Sequence, residues 1–221
     1  MSSFLRFSSI TKKIWMAFLG LFLMIFLVLH LSINLCLLRK DPTWFNDAAY
    51  FMGTNYVVKV FEVILFGGFI IHILIGIILQ IRNWMSRPVR YKITNKTYTP
   101  FLSKYMIYTG GIIAFFLVLH LFNFYFIKFG WVQSPVDPLA NGHPDFYRIA
   151  RILFAQPIYS IIYISLFIIL GFHLFHAFQA AFQTLGLDHK KYTPGIEKFG
   201  IIYSIIVPLG YTIIPLYYLF I

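Results

Sequence analysis

Long apolar runs alternate along the chain with short stretches that hold nearly all of its charge. A hydrocarbon core of about 30 Å needs ~20 apolar residues per helix. Five runs meet that length, at about 14–38, 57–81, 105–127, 158–185 and 199–221. The first, third and fourth carry no charge, and Lys59 and Glu62 sit in the first turns of the second. Pro157 suits a helix first turn, so the uncharged run 152–187 spans from about 158. Pro194-Gly195 breaks the chain before the fifth run, where Pro208 and Pro215 predict bends. Lipid leaves no partner for a strand edge, so all five are expected to be helices. The expected fold is all-α and polytopic, one transmembrane domain over 1–221, with residues 39–56, 82–104, 129–151 and 188–198 as loops.

Composition agrees. Of 221 residues 60% are hydrophobic and 11% charged, with a mean hydropathy of +0.79. The pI near 9.7 requires no nucleic acid partner, because a membrane protein places its Lys and Arg in loops. Cys36 is the only cysteine, which excludes an intrachain disulfide and a cysteine-ligated cluster on this chain. No Cys-x-x-Cys-His occurs, so any haem is held non-covalently. The N-terminus has the basic-then-apolar order of a signal peptide. Its apolar run is too long and lacks a small-residue cleavage site, so it is read as a retained helix.

Loop charge sets the expected orientation. The N-terminus and the second and fourth loops hold twelve Lys and Arg, and the other side holds six. The N-terminus is therefore expected in the cytoplasm and the C-terminus outside.

Candidate chemistry lies in the histidines. Phe26-Leu27-Val28-Leu29-His30-Leu31 returns letter for letter as Phe116-Leu117-Val118-Leu119-His120-Leu121. At the same offset of 90, Trp15 matches Tyr105, Met16 matches Met106 and Gly20 matches Gly110. His72 and His173 lie deep in the second and fourth runs, followed four residues on by Gly76 and Ala177. A small residue one turn from a ligand leaves room for a flat macrocycle or a close helix. An imidazole at membrane depth is costly unless partnered, and is a functional hypothesis by default. Each alone can be an interhelical hydrogen bond or a proton relay.

Depth pairs the four. His30 lies 16 residues from the inner end of its run and 8 from the outer end, and His120 sits at nearly the same height. His72 lies about 15 residues below the outer end of an inward-running helix, and His173 is similarly deep. At 1.5 Å per residue this gives an outer pair, His30 and His120, and an inner pair, His72 and His173. Two imidazoles on one iron is the ligation of a low-spin b haem, closed to oxygen chemistry and suited to electron transfer. Two haem b groups in a four-helix core, with a fifth helix beside it, are the expected arrangement. A zinc site wants three or four ligands at one level, where each level here offers two imidazoles and no acid. His176, one turn from His173, is an alternative fourth ligand. His143 and His189 read as solvated loop histidines.

The chain resembles the diheme cytochrome b anchor of succinate:quinone oxidoreductase (succinate dehydrogenase/fumarate reductase) of the single-polypeptide, five-helix type. The resemblance runs over essentially the whole chain. It is carried by Phe26–Asn34, by Phe45-Asn46-Asp47-Ala48-Ala49-Tyr50-Phe51-Met52, by His72 with Gly76, and by His173 with Thr184-Leu185-Gly186. It implies the same ligand pairing and His173 as the fourth ligand. It also implies a bacterial inner-membrane location and a role in the respiratory chain and the tricarboxylic acid cycle. A flavoprotein with FAD and an iron–sulfur protein would be its partners, in a heterotrimer that can pair into a dimer. Electrons would pass from succinate through FAD, iron–sulfur clusters and the two haems to menaquinone, or in reverse to fumarate, with no dicarboxylate chemistry on this chain.

Quinone chemistry needs a proton source near the headgroup. Glu62 is the acid closest to a membrane span, and Asn34 can hydrogen-bond a quinone carbonyl; the plainer readings are an interfacial acid and a helix-end amide. Two rival functions stand beside this one. A cytochrome b anchor of another quinone-linked dehydrogenase would also use membrane histidines but lacks the Phe45–Met52 signature. A haem-free transporter would carry broken helices and charged midplane residues.

Overall fold

The computed structural model describes residues 9–85 and 105–221. The basic residues Arg6, Arg87, Arg90, Lys92, Lys96 and Lys104, which weigh in the charge count above, lie outside them. Among the described residues the chain is all-helical, and five helices are long and apolar enough to cross a membrane. These are α1 (Ser9–Asn34, prolonged by a 3-10 turn Leu35–Leu38), α3 (Tyr56–Met85), α4 (Met106–Lys128), α6 (Pro157–Thr184) and α7 (Thr193–Leu219). Two short helices, α2 (Thr43–Thr54) and α5 (Phe146–Phe154), lie between them.

Each expected span is present, with shifted ends. α1 starts five residues early, so Lys12 lies within the helix and is buried rather than in a terminal segment. Pro157 opens α6, where its missing N–H leaves nothing unsatisfied. α6 closes at Gly186 (φ +75°), where Leu187 N–H reaches Phe182 O and Gly186 N–H reaches Gln183 O. This left-handed turn satisfies the last carbonyls and favours glycine. α7 continues as one helix through both Pro208 and Pro215.

The larger departure concerns the first and third loops, which are partly helical. Asp41 accepts the Thr43 N–H at 3.0 Å just before α2, and hydrogen bonds from Thr43 hold its carboxyl below the usual carboxylate range. Asp145 caps α5 by accepting from Arg148 N–H, and accepts again from Asn46 Nδ2 at 2.9 Å. Asn46 Oδ1 in turn accepts from Tyr147 N–H at 3.1 Å. The Phe45–Met52 stretch is thus a helix clamped to α5 rather than a loop. No run of ~20 apolar residues marks such an element, because its partners are ~100 residues away.

The spans form a four-helix ring with α7 outside it. α1 packs beside α3 and α6, and α4 also packs beside α3 and α6. That ring order leaves α1 opposite α4, and α3 opposite α6. α7 lies along α6 and also meets α1. Apolar contact alone does not drive helices together in lipid, so small residues and polar bonds matter more. Cβ atoms built at Gly200 and Gly210 would lie 2.7 Å from Phe178 and 2.8 Å from Leu31. A side chain there would have to displace the Phe178 ring or the Leu31 methyls for α7 to stay as close. Three α7 tyrosines donate to α1 and its 3-10 turn: Tyr203 to Met24 O and Tyr211 to Leu27 O at 2.7 Å, and Tyr218 to Leu37 O.

Candidate functional site

His30 comes from α1 and His120 from α4, across one diagonal of the ring. Their ring centroids lie 5.8 Å apart with planes at 87°. Two imidazoles that ligate one metal at ~2.0 Å have centroids roughly 6 Å apart. The spacing therefore matches a shared axial pair. Aromatic rings hold both in place. Phe26, one turn before His30, stacks on it at 5.2 Å, and Tyr211 lies 6.1 Å away. Phe116, Phe124 and Tyr163 surround His120 at 6.0, 5.2 and 6.5 Å. Tyr163 is fully buried and its hydroxyl accepts from Asn123 Nδ2 at 2.8 Å.

His72 comes from α3 and His173 from α6, across the other diagonal. Glycines frame this pair. A Cβ at Gly20 would meet His72 Cε1 at 3.7 Å, and one at Gly110 would meet His173 Cε1 at 3.5 Å. Gly20 and Gly110 each precede the repeat histidine of their own helix by ten residues. Ten residues are ~15 Å of helix. The inner imidazoles therefore lie ~15 Å below the outer ones on both sides of the bundle, and the two depth levels are distinct. The Thr109 hydroxyl meets His173 Nδ1 at 3.2 Å, a bond that fixes one ring nitrogen and leaves the other to act.

The donor set fits haem iron on two observations. The outer spacing suits one metal and the inner rings face glycines; three buried imidazole nitrogens, His72 Nδ1, His120 Nδ1 and His176 Nε2, also lack a hydrogen-bond partner among the described residues. A buried polar atom left unpaired costs ~1–3 kcal/mol unless something meets it. Among the described residues no group of three or more His, Cys, Asp and Glu converges.

The remaining histidines separate. His176 is buried, with Nε2 unpartnered and its ring edge-on to Phe175 at 5.0 Å. His189 is exposed and organises the turn before α7, accepting Lys191 N–H at Nδ1. His143 is half-buried rather than solvated. It packs edge-on against Tyr50 at 4.7 Å and lines a cleft of ≈ 470 Å³. Gly76, expected to leave room for a macrocycle or a close helix, does the second: its Cβ would lie 3.3 Å from Met16 Cε. It serves the α1–α3 contact.

Glu62 lines the same cleft as His143, together with Lys59, Lys128, Asn46 and Tyr50. It is not a free interfacial acid: Lys128 Nζ pairs with Oε2 at 3.0 Å and the Tyr125 hydroxyl donates to Oε1. Asn34 is elsewhere. Its amide donates to His30 O at 2.7 Å, one turn back on α1, and it does not line the cleft. Sequence reading missed Tyr125, Lys128, Thr109 and Tyr163. Gly20 and Gly110 did carry a signal, since they repeat at the histidine offset. No family model, curated protein or solved structure matches the chain.

Proposed function

We propose that the chain is the diheme cytochrome b membrane anchor of a succinate:quinone oxidoreductase, linking an iron–sulfur partner subunit to menaquinone. The observation that carries the reading is the pairing of imidazoles across both diagonals of one bundle, at levels ~15 Å apart. His30 with His120, and His72 with His173, would each hold one haem b. Bound there, the two haems supply one-electron transfer along the bundle axis. The chain's own residues fix the ligands: Thr109 orients His173, and the Phe26 and Tyr163 rings pack against the outer pair.

The cleft beside Glu62 is the quinone site in this reading. Tyr125, one π turn past His120 on the same helix, bonds Glu62 and so ties the carboxylate to the helix end beside the outer pair. A quinol that gives up two electrons also gives up two protons. The Glu62 carboxylate accepts one, and water at the mouth of the cleft takes the other. Lys59, Lys128 and His143 offer cationic and hydrogen-bonding groups to the quinone oxygens. Asn34 already bonds the backbone within its own helix, and its position gives the quinone role no support.

The FAD-containing flavoprotein, the iron–sulfur protein and the dimer of heterotrimers are part of the proposal. So is a bacterial cytoplasmic membrane with the N-terminus inside and the C-terminus outside. Five spans put the two termini on opposite faces.

Reduced-minus-oxidised spectra of the purified chain test the reading. Two b-type signals are expected, with His30→Ala and His120→Ala losing one and His72→Ala and His173→Ala the other. A purified chain without a b-type α-band overturns it and favours a haem-free transporter.

A further inference from the structure

α4 is not a regular helix. Immediately after His120 it widens into a π turn, Leu121–Tyr125, and then resumes as Phe126–Lys128. Single π turns inside α-helices insert one residue and often mark functional sites. Here the consequence is geometric. A regular α-helix turns ~100° per residue, so Tyr125 would stand ~140° around α4 from His120. With the wider i→i+5 turn the same five residues bring it back to within roughly 50°. His120 then meets His30 across the bundle while Tyr125 meets α3, where it packs on Phe66 at 4.8 Å and bonds Glu62. Lys128, one turn on, completes the pair of contacts to Glu62.

The geometry points to Tyr125 as a positioning residue for the Glu62 carboxylate, with the π turn keying that carboxylate to the outer histidine pair. This rests on the reading of the cleft as a quinone site. Tyr125 does not line the cleft, so it acts through Glu62 and not on the bound molecule. Glu62 has two oxygens, each held by a different α4 residue, Tyr125 on Oε1 and Lys128 on Oε2. A carboxylate held at both oxygens is fixed in orientation, and Glu62 lines the cleft in that fixed pose. The phenol supplies that constraint without adding a second charge.

The test uses the full chain in native membranes and follows haem reduction by a tail-free dimethylnaphthoquinol in rapid mixing. Tyr125→Phe is expected to lower the saturating rate about tenfold, the loss typical of one hydrogen bond to a charged group, with the half-saturating quinol concentration and both haem spectra unchanged. Deleting Phe122, an exposed residue of the π turn, removes the inserted residue and leaves Tyr125 ~40° from His120 on a regular helix, so quinol-driven reduction is expected to survive; its loss with both haems still revealed by dithionite overturns the geometry. A Tyr125→Phe rate equal to wild type overturns the inference, as does a change confined to half-saturation or a lost haem signal. Should the deletion variant not accumulate, Tyr125→Phe decides alone. Glu62→Gln separates the two claims. If it slows reduction and Tyr125→Phe does not, only the positioning role falls; if it leaves reduction intact, the quinone reading of the cleft falls with it.

Discussion

The outer and inner histidine pairs use one plan with different surroundings. Both pairs span a diagonal of the same four-helix ring. The outer pair is walled by aromatic rings, Phe26, Phe116, Phe124, Tyr163 and Tyr211, and the His30 and His120 rings lie 5.8 Å apart. The inner pair is framed by glycines, with a single hydroxyl, Thr109, bonded to His173. The difference teaches that two equivalent helices can serve two sites at once. Each of α1 and α4 gives a histidine to the upper level and, ten residues earlier, a glycine to the lower one. A Cβ at either glycine would already touch the imidazole of the neighbouring helix, so a side chain longer than alanine would press on it; the repeat carries the small residue along with the histidine.

The largest effects are expected at the four histidines. Each His→Ala variant within a pair is expected to remove the same b-type signal completely, and to leave the other pair's signal in place. Dithionite difference spectra read this, and a variant that removes both signals would show one shared site instead of two. The glycines give the next largest effect. Gly110→Leu is expected to displace His173 and deplete the inner signal several-fold, while Gly111→Ala, with open space around it, is silent. Pyridine haemochrome assays of both variants measure the contrast.

The fifth helix sharpens the outer side. Gly210→Val drives a branched side chain into Leu31, next to His30, at a cost of about 1–3 kcal/mol for overpacking. The expected outcome is a lowered thermal midpoint with a broadened outer-haem signal, read by thermal melts followed in the haem absorbance. Tyr211→Phe, which loses the bond to Leu27 O, is expected to cost about 1 kcal/mol by the same measurement. Thr109→Val is the mildest. Full haem content is expected, with only the inner potential or the electron-resonance line shape moved, because the hydroxyl orients one ring nitrogen. A shift in the outer potential alone would contradict the assignment of Thr109 to the inner level.

The spans were legible because their signal is local. A run of ~20 apolar residues has one solution in lipid, and the helices stand where the runs predict, displaced by a few residues at their ends. The ends depend on capping and packing, as in the early start of α1 and the glycine turn after α6. α2 and α5 were read as loop because their stability is non-local: Asn46 and Asp145 satisfy each other across 99 residues. Glu62 was visible as an acid beside a span, but its partners Tyr125 and Lys128 were not. They reach it through the π turn of α4, an extra residue that hydropathy cannot register.

By itself the sequence determined the five spans, the doubled phrase and the division of four imidazoles into two depths. Those follow from apolar length and from a fixed rise per residue, which hold for any helix in a bilayer. The tertiary structure alone decided which helices stand opposite each other, that the repeated glycines face the inner histidines, and that Glu62 is held by α4. Helix order around a ring is set by close packing and by a few polar bonds between segments far apart in the chain. No local pattern encodes it.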